Sequence, residues 1–165
     1  MKLVDISKKP IQRLVADGII VDDQLYAFDS IIFATGFDAM TGSIFNVDIK
    51  GRGGLALKEK WNAGPKTYLG LMSASFPNLF MITGPGSPSV KSNMIMSIEQ
   101  HVDLVIETLL SMRRKGLSVV EPELEAENKW VDHVQEVANK TLFPQANSWY
   151  MGANIPGKPR LFMPY

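Results

Sequence analysis

Three stretches hold most of this chain's capacity for chemistry. The first is Gly84-Pro85-Gly86-Ser87-Pro88, which follows the apolar run Leu79-Phe80-Met81-Ile82-Thr83 and precedes a helical pattern. An apolar strand that feeds a Gly-rich turn and then a helix leaves N–H groups, and the positive end of the helix dipole, facing outward. Glycines let the backbone approach a flat ligand closely. An isoalloxazine ring suits such a partner, because negative charge gathers at its N1–C2 carbonyl edge on reduction and a fixed dipole stabilises it. The same pattern describes a strand-to-helix connection that binds nothing. It is not a dinucleotide fingerprint: Ser89 stands where the third Gly is required, and Gly51-Arg52-Gly53-Gly54 also has the wrong spacing. Neither usual pyrophosphate loop is present.

The second stretch, Ala34-Thr35-Gly36-Phe37-Asp38, closes an apolar run with small residues that allow backbones to cross. The third runs from Trp149-Tyr150-Met151-Gly152 to Lys158-Pro159-Arg160. Its aromatic faces, a turn-forming Asn154 and two cations spaced by Pro suit an anionic nucleotide. They equally suit a surface loop pinned by aromatics. His101 falls on the apolar face of a helical pattern and reads as a satisfied core histidine. Lys58-Glu59-Lys60 and Arg113-Arg114-Lys115 read as solvated charges, and the nine methionines as core filler. With no cysteine and only His101 and His133, the sequence offers no disulfide, thiolate nucleophile or recognisable metal site. Seventeen basic residues balance seventeen acidic ones, so no global field favours nucleic acid. No apolar run reaches membrane-span length and no signal-peptide stretch opens the chain, so a cytoplasmic location is expected.

The elements that must position these groups follow from periodicity. Residues 11–15, 19–21 and 24–28 read as strands of a meander, with turns at Asp17-Gly18 and Asp22-Asp23. Residues 30–36 and 79–83 are continuously apolar, the pattern of strands buried on both faces, and 68–71 reads as a short strand. A short helix is expected near Leu57 to Trp61. A long one is expected over 89–115, where Met94, Ile95, Ile98, His101, Val102, Val105, Leu109 and Met112 recur at helical steps, with Gly116 as the C-cap. Another is expected over 123–142, with Leu124, Trp130, Val131, Val134 and Val137 inward. Alternating strands and helices make the class α/β. The meander lacks a covering helix and the last residues are apolar, which suggests that both pack against something further.

Taken together and in order, these motifs resemble one family. Ala34-Thr35-Gly36-Phe37-Asp38-Ala39-Met40-Thr41-Gly42, Lys58-Glu59-Lys60-Trp61, Phe76-Pro77-Asn78-Leu79-Phe80, Gly84-Pro85-Gly86-Ser87-Pro88, Ser97-Ile98-Glu99-Gln100-His101 and Ser148-Trp149-Tyr150 through Arg160 are similar to the C-terminal part of Baeyer–Villiger flavin monooxygenases, in the phenylacetone, steroid and cyclohexanone branch. The resemblance implies a partial two-dinucleotide-domain fold. Residues 1–33 would be a β-meander remnant of the NADP domain, and 34–165 the C-terminal part of the FAD domain. It implies FAD and NADPH as cofactors, and insertion of one oxygen atom of O2 into a small-molecule ketone, through a peroxyflavin, to give an ester or lactone.

Carried over by position, Gly84, Gly86, Ser92, Asn93 and Met94 would border the flavin, with the Met94 backbone at its pyrimidine edge. Trp149 would touch the nicotinamide nucleotide, and Ser89, Val90 and Met163 would line the ketone pocket. The family's two Gly-rich loops, its Phe-x-Gly-x-x-x-His signature and its peroxyflavin-stabilising arginine have no counterpart here, so no catalytic residue is assigned. The expectation is a segment of a monooxygenase, inactive by itself, whose partner is the missing N-terminal half. The alternatives are a segment of an N- or S-oxygenating flavin monooxygenase, or a non-catalytic module that self-associates as a homo-oligomer.

Overall fold

The computed structural model describes residues 3–34, 36, 38, 40–87, 93–153 and 157–159. The chain divides into two compact units, Met1–Gly36 and Phe37–Tyr165. The first is a three-stranded antiparallel meander: β1 (Ile11–Val15), β2 (Gly18–Val21) and β3 (Gln24–Ala27), in the order β1-β2-β3. Val21 pairs with Gln24 across the two-residue turn Asp22-Asp23, whose φ values of 52° and 59° are those of a type I′ hairpin. Gln12 fixes this turn by accepting the Asp23 N–H at 2.9 Å. At the other hairpin Val15 pairs with Gly18. A Cβ on Gly18 would stand 2.0 Å from the Tyr26 carbonyl oxygen, so the residue after this turn has to be glycine.

Among its described residues the second unit carries four α-helices: α1 (Gly42–Phe45), α2 (Leu57–Lys60), α3 (Met94–Lys115) and α4 (Leu124–Asn139). In α2 the Glu59 carboxylate reaches back to the Ala56 N–H, at 3.3 Å. In α3 the Asn93 side chain accepts from the Ile95 N–H, and Gly116 ends the helix at φ 62° with Leu117 N–H bonded to the Met112 carbonyl. Leu57, Trp61, Phe76 and Met81 form one apolar core, joined by Ile44, Phe45, Ile49, Leu55 and Leu79. Val134, Ala138 and Met151 form a second, with Trp130 and Phe143.

The meander and the helices bear out an α/β piece, and three strand expectations are corrected. Among the described residues, 30–36 and 79–83 form no strand, and 68–71 contributes only an isolated bridge, Tyr68 to Met72. An apolar run promises burial, but a strand also needs a neighbouring strand to complete its ladder. Residues 79–83 make no ladder: the Met81 N–H bonds the Leu71 carbonyl, the Leu79 N–H turns back to the Phe76 carbonyl, the Thr83 N–H goes to the His101 side chain, and Thr83 is left-handed at φ 52°. Ile32 and Phe33 are 90% and 67% exposed. Helix α3 also buries a narrower stripe than its apolar pattern proposes. Ser97 and His101 are buried, while Ile95, Ile98, Val102 and Leu109 are exposed. Leu124, expected inward, lies exposed in the first turn of α4. Among the described residues no helix is long and apolar enough to cross a membrane.

Candidate functional site

The 84–87 stretch is a tight turn closed by the Ser87 N–H donating to the Gly84 carbonyl, at 3.1 Å. A second turn lies against it. Tyr68 and Leu71 close that one, with Leu69 and Gly70 left-handed at φ 59° and 67°. The two turns touch backbone to backbone. A Cβ on Gly84 would stand 2.6 Å from the Gly70 carbonyl oxygen, and one on Gly70 would stand 2.3 Å from Ser87 Cβ. Gly84 is thus required by the chain's own packing, whatever lies outside. Gly86 differs: it is half-buried, at φ 79°.

Two side chains from outside the turn hold its inner carbonyls. The Thr67 hydroxyl donates to Pro85 O at 2.6 Å, and the Trp130 indole N–H to Gly86 O at 3.0 Å. His101 ties α3 to the start of the same turn. Its Nδ1 accepts the Thr83 N–H at 3.0 Å, and the ring also hydrogen-bonds the Leu69 backbone. This is the satisfied core histidine expected from the sequence.

Burial holds the His101 pKa below the usual imidazole value, and the Leu69 bond opposes this more weakly. The folded protein therefore prefers the neutral ring, and a proton on Nδ1 would set N–H against N–H. The stabilisation is whole above the unfolded histidine pKa of about 6.5, and is lost as the pH falls below it toward the lowered folded value. The denaturation midpoint in urea should fall between pH 7.5 and 5.5. In His101→Gln, which keeps an acceptor and a donor but does not titrate there, the fall should be smaller. Equal falls in both proteins would refute the role.

A buried ion pair fastens α4 to the rest of this unit. The Glu127 carboxylate is fully buried. It accepts Lys60 Nζ at 2.8 Å, Ser73 Oγ at 3.0 Å and the Ala74 N–H at 2.9 Å. The Lys60 side chain is only 11% exposed. The expectation of a solvated Lys58-Glu59-Lys60 run is corrected at Lys60. A carboxylate 67 residues away desolvates it, and a period along one helix cannot report that partner.

Asn93 and Met94 sit at the N-terminus of α3, Asn93 as its cap, and the Met94 side chain is 40% exposed. Trp149 opens a single 3₁₀ turn, Trp149–Met151, that Ser148 caps by accepting the Tyr150 N–H. Its ring lies 4.0 Å from that of Tyr150, centroid to centroid, and it is 44% exposed. Tyr150 in turn meets Phe143 edge-on, and Met151 is buried with Val134. The buried members of this run do the pinning and Trp149 keeps an open face. Lys158, one of the two cations proposed for a nucleotide, is paired with Asp38. Ser89, Val90, Ser92 and Met163, with Asn154 and Arg160, lie outside the described residues. Thr67, Gly70, Ser73 and Glu127 escaped sequence reasoning, because each acts through a contact distant in sequence that no local period signals. Among the described residues no group of three or more His, Asp or Glu side chains converges on a metal position.

No protein-family model matches the chain. Individual proteins match it closely. It is 43% identical over 164 residues to a Baeyer–Villiger monooxygenase of Pseudooceanicola batsensis, which covers 99% of this chain and 30% of that one. It is 38% identical over 159 residues to a phenazine N-monooxygenase of Lysobacter antibioticus, covering 96% and 29%. Among solved structures, cyclohexanone monooxygenase from Rhodococcus sp. Phi1 bound to NADP+ superposes with a TM-score of 0.90 at 39% identity, over 98% of this chain and 30% of that one. OTEMO, solved as a complex with FAD and NADP, superposes with a TM-score of 0.85 at 37% identity, over 96% of this chain and 29% of that one. Along nearly its whole length, then, the chain is a homologue of the Baeyer–Villiger monooxygenases, and it spans about 30% of the length of the curated relatives it matches.

Proposed function

We propose that this chain is a segment of an FAD- and NADPH-dependent monooxygenase that converts a ketone to an ester or lactone, and that it is inactive without the remainder. The observation that carries this reading is the likeness across 99% of the chain to a protein of which it spans only 30%. In this reading residues 1–33 derive from the NADP domain and 34–165 from the FAD domain. Residues of the chain fit one side of a flavin. The 84–87 turn presents a half-buried glycine, and Asn93 and Met94 open a 22-residue helix. Nothing in the sequence fits the pyrophosphate. FAD, reduced by NADPH, would supply the activation of O2, of which one oxygen atom enters the ketone and the other leaves as water.

The chain's own part is to bind and orient. Gly86 and the Met94 backbone face the ring, Trp149 offers its open face to the nicotinamide nucleotide, and Ser89, Val90 and Met163 line the ketone pocket. Exposed Ile95, Ile106 and Leu109 on α3 support a covering partner in the longer protein. A second reading, oxygenation of a ring nitrogen, is kept by the likeness to a phenazine N-monooxygenase.

The test is flavin absorbance and NADPH oxidation. The purified chain should be colourless, inactive and self-associating in sedimentation. The protein completed with the missing length should be yellow and should oxidise NADPH with a ketone. Stoichiometric FAD on the isolated chain would refute the division of labour. A completed protein without flavin would refute the reading itself. Turnover of an N-heteroaromatic in place of every ketone would favour the second reading.

A further inference from the structure

We infer that Thr67 and Trp130 are positioning residues that set the flip of the Pro85–Gly86 peptide and so aim the Gly86 N–H outward, as a fixed donor to an electron-rich oxygen or nitrogen of the bound ring. The inference rests on the cofactor reading above and names residues which that reading does not use. The 84–87 turn has Pro85 in its second position and Gly86 in its third at φ 79°, the signature of type II. Types I and II differ by about a half-turn of the central peptide, here the bond between Pro85 and Gly86. In a planar trans peptide the C=O and N–H point in opposite directions. The Thr67 hydroxyl, buried at 2% exposure, grips Pro85 O at 2.6 Å from inside. The Gly86 N–H must then point away from Thr67, and among the described residues it meets no acceptor.

The next peptide is fixed as well. Trp130 holds Gly86 O at 3.0 Å, while the Ser87 N–H closes the turn onto Gly84. Both grips are themselves anchored. The carbonyl of Lys66, beside Thr67, accepts Trp61 Nε1 at 2.9 Å and Ser73 Oγ at 3.0 Å. Trp130 rides on α4 one turn beyond Glu127, which Lys60 locks in place. A donor held this rigidly has no reorganisation to undergo when charge develops on its partner, which is where such a group stabilises most.

The experiment pairs Thr67→Val, which removes the hydroxyl at nearly constant shape, with Thr67→Ser, which keeps it, and adds Trp130→Phe. In the isolated chain, the Gly86 amide resonance in 1H–15N spectra should move in Thr67→Val and Trp130→Phe and stay near its place in Thr67→Ser. In the flavin-loaded, completed protein, Thr67→Val and Trp130→Phe should lower the flavin midpoint potential. The preference for reduced over oxidised flavin should drop about tenfold, the loss of one hydrogen bond to a charged acceptor, and Thr67→Ser should retain the wild-type potential. A purely structural role would lower the melting temperature and leave the potential unmoved in the folded fraction. FAD retained with an unmoved potential in both Thr67→Val and Trp130→Phe overturns the positioning roles and leaves the cofactor reading intact. A wild-type completed protein that holds no FAD overturns both. Should Thr67→Val fail to fold, Trp130→Phe and its Gly86 resonance decide the matter.

Discussion

Glu127→Ala should cost the helical unit about 3–5 kcal/mol, because it strands the Lys60 ammonium in a site built for a carboxylate. Lys60 is 11% exposed and Glu127 0%, so water reaches neither charge well enough to replace the partner. The substitution also frees the Ala74 N–H, held at 2.9 Å, and removes one of two acceptors of the Ser73 hydroxyl, the other being the Lys66 carbonyl. A domain's whole stability is commonly about 5–15 kcal/mol, so the variant should be largely unfolded near body temperature. Removing both charges, as in Lys60→Met with Glu127→Leu, should restore much of the loss, since no unpaired charge then remains buried. Urea denaturation of the single and double variants measures this. Near-wild-type stability in Glu127→Ala would show that the pair is open to solvent. A double variant no better than the single would show that the hydrogen bonds to Ser73 and Ala74, rather than the charge balance, dominate.

In the completed protein, Trp149→Ala should weaken NADPH use by about ten- to a hundredfold, equivalent to roughly 1–3 kcal/mol of stacking and hydrogen bonding, while FAD content stays nearly unchanged. A tryptophan that merely pinned its loop would be buried, and Trp149 is 44% exposed. The pinning falls to Met151 and to Tyr150, whose ring meets Phe143 at 5.7 Å. Truncating Trp149 should therefore lower the melting temperature only slightly, whereas Met151→Ala should lower it by several degrees. Flavin content, NADPH oxidation rate and melting temperature measured on one preparation separate the cases. Normal NADPH kinetics together with a large fall in melting temperature would sink the cofactor role.

What the sequence determined by itself is whatever rests on neighbouring residues. The meander was legible because Asp22-Asp23 supplies the two left-handed residues its hairpin needs. Helix α3 was legible from its period, from Arg113, Arg114 and Lys115 at its negative end and from Gly116 at its cap. Family kinship was legible from motifs whose order is distinctive even where each is weak alone. Only the tertiary structure decided the rest. Among the described residues the apolar runs at 30–36 and 79–83 form no strand, because a ladder is a property of two segments and a run of apolar residues describes one. Lys60 reads as a surface charge until Glu127 folds onto it. Gly84 reads as a ligand-approach glycine, yet it is the Gly70 backbone that fills the space beside it. Thr67 carries no signal at all, because a lone threonine acquires its role only when another segment brings a carbonyl to its hydroxyl.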